Sequence, residues 1–181
     1  MLEFMTQNRE QFDFRLAWKR IADLCNQILT HYFWITRIRL KCPQDEGLLR
    51  AYPTIDNATL ESSLLSIRGL DDFFGNLGTR VDDLNARDFS GFPASSSFLT
   101  KEHREDINKS IAHITTTRLD PEQTKYPYQV LLGGAIPRCV SFIDFVLNSG
   151  KVRDCNDATF LVDTRNILKR IQVEYVDRAS K

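Results

Sequence analysis

The chain is poor in residues that interrupt regular structure: 8 glycines and 6 prolines in 181 residues. A many-stranded β fold needs turn residues at close intervals, so this scarcity disfavours one and favours long helices. Net charge is missing as well, since 24 Lys and Arg balance 24 Asp and Glu. A dedicated non-specific nucleic-acid binder carries a basic excess, and the balance argues against that class while leaving room for a small local basic site. Near-neutral copies also repel one another weakly, which favours self-association. The four cysteines, Cys25, Cys42, Cys139 and Cys155, include no CxxC pair, so no zinc or redox motif of that kind is present. Free thiols in a cytoplasmic protein are the simplest expectation. A clean apolar run of membrane length is lacking too. The most apolar stretch, "VLLGGAIPRCVSFIDFVL", contains Pro137, Arg138 and Asp144 and makes a poor membrane span. The N-terminal "MLEFMTQNREQF" is polar and mixed, and no signal peptide is expected there.

What is present is helical periodicity in a composition that is 42% hydrophobic and 27% charged, at a length that suits one domain with a real core. From about Asn8 to about Ile35, apolar residues including Phe14, Ala17, Ile21, Leu24, Cys25, Ile28 and Tyr32 recur at three- and four-residue steps. "CPQDEGLLRAYPTIDN" (42–57), with two prolines and a glycine, reads as a connection. A second helix is expected from an Asn57 cap, with Leu60, Leu64, Ile67, Leu70 and Phe74 as its stripe and Gly75 or Gly78 at its end. Residues 79–97 are polar, with glycine, proline and a serine run, and read as one long loop of the kind that is often functional or mobile. A third helix starts at a Thr100 cap and runs to about Thr117, where Asp120-Pro121 stops the pattern. A fourth runs from about Pro127 to Leu147, with a kink at Pro137 and a cap at Gly150. A fifth runs from about Asp157 to Val173, before a tail (176–181) that should fray. The expected architecture is all-α: a single-domain bundle (1–181) of about five helices with one long polar loop.

The third helix carries "INKSIAHITTTR" (107–118). At about 100° per residue, Ile107, Ile111 and Ile114 share one narrow face that should enter the core. Lys109 and His113, four residues apart, share a face nearly opposite. On a cleft or dimer seam, His113 could exchange protons near neutral pH and Lys109 could hold an anion. On a solvated outer face, neither residue would have a chemical role.

"INKSIAH" resembles the motif-bearing helix of the HEPN superfamily, small all-α domains of prokaryotic toxin–antitoxin and anti-phage systems, many of them metal-independent ribonucleases. "SLLSIRGLDDFFG", followed by an acidic loop, resembles uncharacterised bacterial proteins of the same helical type. The family motif is an arginine, four to six variable residues and a histidine, often written Arg-Asn-x-x-x-His with alanine before the histidine. Ala112 and His113 fit it. Asn108 stands where the arginine belongs, Lys109 where asparagine is common, and Thr115 where tyrosine is common. The departure bears on the chemistry, because metal-free RNA cleavage needs an acid–base group and a cation for the charged phosphorane. Arginine grips phosphate through two parallel hydrogen bonds, whereas lysine acts as a point charge. The resemblance therefore implies His113 as the catalytic residue and Lys109, Asn108, Arg104 and Arg68 as candidates for the phosphate site, with no metal and no cofactor. It also implies a homodimer, RNA as the substrate class, and a cognate antitoxin or nucleotidyltransferase as the partner class.

Other features have plainer readings. "RVDDLNARDF" (80–89) groups Asp82, Asp83 and Asp88 with Arg80 and Arg87, and fits a charged loop better than a calcium site. Asp71-Asp72 reads as the polar edge of the second helix. Arg68, set among apolar residues, either snorkels to the surface or turns toward the His113 face as the missing cation. Gly133-Gly134 matches no phosphate-loop pattern and indicates a kinked or closely packed helix. His103 is expected to be exposed and His31, in "HYFW", to be structural. Three function classes follow. The first is a HEPN-like interaction or regulatory module with a decayed site. The second is an active ribonuclease, and the third is an unrelated helical adaptor.

Overall fold

The computed structural model describes residues 14–34, 46–78, 83–93, 95–112 and 128–176. Five helices occupy most of them: α1 (Phe14–Phe33), α2 (Glu46–Phe74), α3 (Lys101–Ala112), α4 (Tyr128–Asn148) and α5 (Cys155–Ile171). A 3-10 turn at Ala86–Asp88 precedes α3, and a π turn at Gln172–Val176 follows α5. No strand occurs among the described residues, so the all-α bundle expected from the periodicities is the observed fold.

Two antiparallel hairpins form the frame. Leu24 faces Gly69, Gln27 bonds Ser62 and Ser66, and His31 bonds Thr59, so α1 and α2 run in opposite directions. In the second hairpin Asp144 pairs with Arg165 at 2.9 Å and Val176 lies against Gly133, which sets α4 antiparallel to α5 and its π turn. α3 packs on α2, and α5 also touches α1. Ile21, Cys25, Ile28, Leu64, Ile67, Leu70, Leu132, Ile136, Cys139 and Ile143 fill the space between them.

Several boundaries differ from the expected ones. α2 begins at Glu46, eleven residues before Asn57, and Asn57 is an exposed residue within the helix. The helix passes through Pro53, forgoing one backbone hydrogen bond there; proline weakens a helix without always ending it. α5 begins at Cys155 because the Asp154 carboxylate accepts from the Asn156 and Asp157 amides. The Thr100 cap is present, with its hydroxyl accepting from the His103 amide at 3.1 Å. Gly150 ends α4 with φ +69°, a conformation that favours glycine. Val176, counted in the expected tail, is buried. The expected ends of the first and third helices, residues 8–13 and 113–117, lie outside the described residues, as do 177–181.

The polar 79–97 segment contributes to the core in its described part. Phe89 is buried and Phe92 half-buried, in a cluster of edge-to-face rings around Phe142. Phe142 lies 4.9 Å from Phe89, 5.2 Å from Phe73 and 5.4 Å from Phe92, centroid to centroid. Each such pair contributes about 0.5–1.5 kcal/mol beyond its buried area. One acid of the loop serves its own geometry: Asp88 accepts from the Asn85 amide at 2.9 Å.

α4 is long and apolar enough to cross a bilayer by length and composition alone. Here one side of it lines the core, from Tyr128 and Leu131 to Ile143 and Val146. Gly133-Gly134 is a point of close packing. A Cβ on Gly134 would stand 2.7 Å from the Phe98 ring, and Gly133 meets Val176. Pro137 faces solvent within the helix.

Candidate functional site

α3 meets α2 through a ladder of charged and amide side chains. Ile107 is buried and anchors α3 to the core, as its stripe predicts. One residue on, the Asn108 side-chain carbonyl accepts from Arg68 Nη1 of α2. Arg68 Nε lies 3.9 Å from Asp72 Oδ2, one turn further along α2. Asp72 Oδ1 in turn accepts from Nη1 and Nη2 of Arg104, both at 2.9 Å. Arg104 Nη2 also donates to Asp71.

Asp71 is the inner end of this ladder and is fully buried. Its carboxylate accepts from the Ser97 hydroxyl at 2.9 and 3.0 Å, from the Leu99 amide at 3.0 Å and from the Phe98 amide. One acid thus holds the 97–99 segment and the first turns of α3 against α2. The placement corrects the expectation that Asp71-Asp72 is a polar helix edge: Asp72 fits that description and Asp71 does not. Sequence phase carries the signal. Asp71 follows Ile67 by four and precedes Phe74 by three, which puts it on the apolar stripe. A charge in phase with a buried stripe needs partners, and these come from 26 to 33 residues away.

The ladder engages the two arginines that were candidates for phosphate. Burial works against the charge on Arg104, but the hydrogen bonds and field of Asp71 and Asp72 outweigh it and raise its pKa. Arg104 is therefore a fixed guanidinium already gripped by two carboxylates. Arg68 reaches from α2 to Asn108 of α3, the residue that stands in the arginine position of the motif, while the His113 face it was weighed against lies outside the described residues. Summed over Arg68, Arg104, Asp71 and Asp72, the ladder is neutral. Of the five candidate residues, the structure brings together Asn108, Arg68 and Arg104. His113 and the side chain of Lys109 lie outside the described residues.

The other two histidines differ in setting. His103, expected to be exposed, is half-buried, and its Nδ1 is enclosed without a hydrogen-bond partner among the described residues. His31 is buried, as "HYFW" suggests. Its Nδ1 lies 2.9 Å from the Thr59 hydroxyl, which itself donates to the Ile55 carbonyl at 2.8 Å. That chain makes Nδ1 the protonated nitrogen. The His31 ring stands edge-on to Tyr128 at 5.0 Å, and the Tyr128 hydroxyl shares a 2.6 Å hydrogen bond with Ser63. Burial lowers the His31 pKa, against an opposing pull from Asp56.

Among the described residues, no group of three or more His, Cys, Asp or Glu side chains is placed to hold a metal ion. Cys25 and Cys139 are buried free thiols, and Cys155 is an exposed one. The Cys139 thiol is pushed well above its ordinary pKa by a hydrogen bond with Cys25 and by burial, which makes it a poor nucleophile. Comparison of the chain with protein-family models, with curated proteins and with solved structures finds no match.

Proposed function

We propose that the chain is a HEPN-like helical interaction or regulatory module, dimeric, with a decayed ribonuclease motif. The observation that carries this reading is the neutral ladder at Asn108. Phosphoryl cleavage without a metal needs a cation free to meet developing charge on the phosphorane. Arg104 is committed to Asp71 and Asp72, and Arg68 is shared between Asn108 and Asp72. Releasing Arg104 to a phosphate would leave the buried Asp71 carboxylate short of its charged partner, a costly exchange. The motif thus keeps the histidine while its nominated arginines serve structure. The partner is a second copy, together with a cognate antitoxin or nucleotidyltransferase.

The test combines two measurements. Purified protein is incubated with structured and single-stranded RNA without divalent metal, and its mass in solution is determined by light scattering. The expected outcome is a dimer that leaves RNA intact. Cleavage that disappears in His113→Ala would overturn the decayed reading and establish the active ribonuclease. A monomer without cleavage would favour the unrelated adaptor. One contact favours the active alternative, namely the reach of Arg68 to Asn108. In that case Arg68→Ala would abolish cleavage along with His113→Ala.

A further inference from the structure

A separate feature lies where α1 meets the start of α5. Arg15, Trp18, Lys151, Val152, Arg153, Asp154 and Asp157 line a cleft of about 250 Å³. None of these residues belongs to the ladder on α2 and α3. The two acids are already compensated. Asp157 pairs with Arg15 at 2.9 Å and Lys19 at 3.4 Å. Asp154 caps α5, taking the Asn156 amide at 2.8 Å and the Asp157 amide at 3.4 Å, with Arg15 at 3.8 Å. The helix amides are thus occupied by the chain's own carboxylate, and they add nothing to the cleft.

The remaining two cations have no acidic partner among the described residues. The Lys151 ammonium stands 4.5 Å above the Phe14 ring, and no carboxylate among the described residues answers it. Arg153 makes no hydrogen bond, ion pair or ring contact with any described residue. The residues that line the cleft carry three positive and two negative charges, and Lys19 beside Asp157 raises the local surplus among the described residues to two, on a chain whose net charge is zero. Low-dielectric walls around a concave surplus focus its field on an anion. Trp18 and Val152 supply an apolar wall beside the charges.

We propose that this cleft binds a small phosphate dianion, free or as the terminal group of a small ester. Arg153 supplies the planar donor fork suited to phosphate oxygens, and Lys151 supplies a point charge on its open side. Val152, partly exposed at the rim, is the apolar surface beside which the carbon part of an ester would lie.

The probes are inorganic phosphate and phenyl phosphate, titrated at about pH 7.5, where the monoester is chiefly dianionic. Backbone amide chemical shifts provide the readout. Saturable shifts confined to residues 14–19 and 151–157 are expected. The Lys151→Ala, Arg153→Ala double variant should weaken binding by at least about tenfold. Both substituted residues are solvent-exposed, and an otherwise unchanged spectrum verifies the variant's fold. Tighter binding of phenyl phosphate identifies an ester as the ligand, and equal binding identifies the free ion. Shifts that do not saturate, that match those of chloride at equal ionic strength, or that persist in the variant would overturn the proposal.

Discussion

Replacing Asp71 by alanine should be among the most damaging single changes in the protein. The carboxylate is fully buried and meets four donors: the Ser97 hydroxyl, the Phe98 and Leu99 amides, and Arg104. Each buried donor left without a partner costs about 1–3 kcal/mol. Ser97 can rotate its hydroxyl, and Arg104 keeps Asp72 and some contact with solvent, so their shares are small. The two amides cannot turn away, because Phe98 packs on Gly134 and Leu99 is buried. The expected loss is therefore about 3–5 kcal/mol, within the range for breaking a buried charge pair from one side. Asp71→Asn keeps one acceptor but aims an NH2 group at donors, and should lose about 2–3 kcal/mol. Arg104→Ala leaves Asp71 with three donors and should lose about 1–2 kcal/mol. Urea denaturation followed by circular dichroism gives all three values from shifts in midpoint at constant slope. An Asp71→Ala midpoint within about 1 kcal/mol of wild type, or a reversed order of the three variants, would refute the clamp.

Three further outcomes are expected. His31 binds its proton less readily when folded than when unfolded, so the unfolded chain takes up more protons as pH falls. Stability is then fully present above about pH 6.5, the unfolded value, and falls as pH drops through it toward the folded value. Denaturation across that window should show the decline, and His31→Gln should shrink it. Phe142→Ala removes the ring shared by Phe73, Phe89 and Phe92 and should cost about 3–5 kcal/mol in the same assay. In native protein, site-mapped alkylation by iodoacetamide should label Cys155 rapidly and spare Cys25 and Cys139 until denaturant is added.

The apolar stripes of α1 and α2 and the caps at Thr100 and Gly150 were legible because local periodicity and local backbone needs determine them. The start of α2 was not, since two prolines and a glycine in 42–57 read as a connection. Loop 79–97 was misleading for a related reason: its polar average concealed Phe89 and Phe92, whose ring partners come from distant helices, Phe14 of α1, Phe73 and Phe74 of α2, and Phe142 and Phe145 of α4. At the candidate site, the inward face of Ile107 was legible. The partners of Arg104 were not, because Asp71 and Asp72 lie a loop away and were assigned to the surface. Residue types at helical spacing reveal which face a side chain occupies. They do not reveal whether a facing carboxylate has already claimed it.

The pairing of the helices into two antiparallel hairpins bears on how the chain finds its fold. Within each hairpin, contacting residues lie on helices adjacent in sequence, and the Asp71 clamp joins segments only 26 to 33 residues apart. Such short separations keep the conformational search brief, since ordering entropy is offset soon after it is lost. The contact between Arg15 and Asp157 spans 142 positions and gains least from locality. The seam between α1 and α5 should therefore close last in folding and open first under strain.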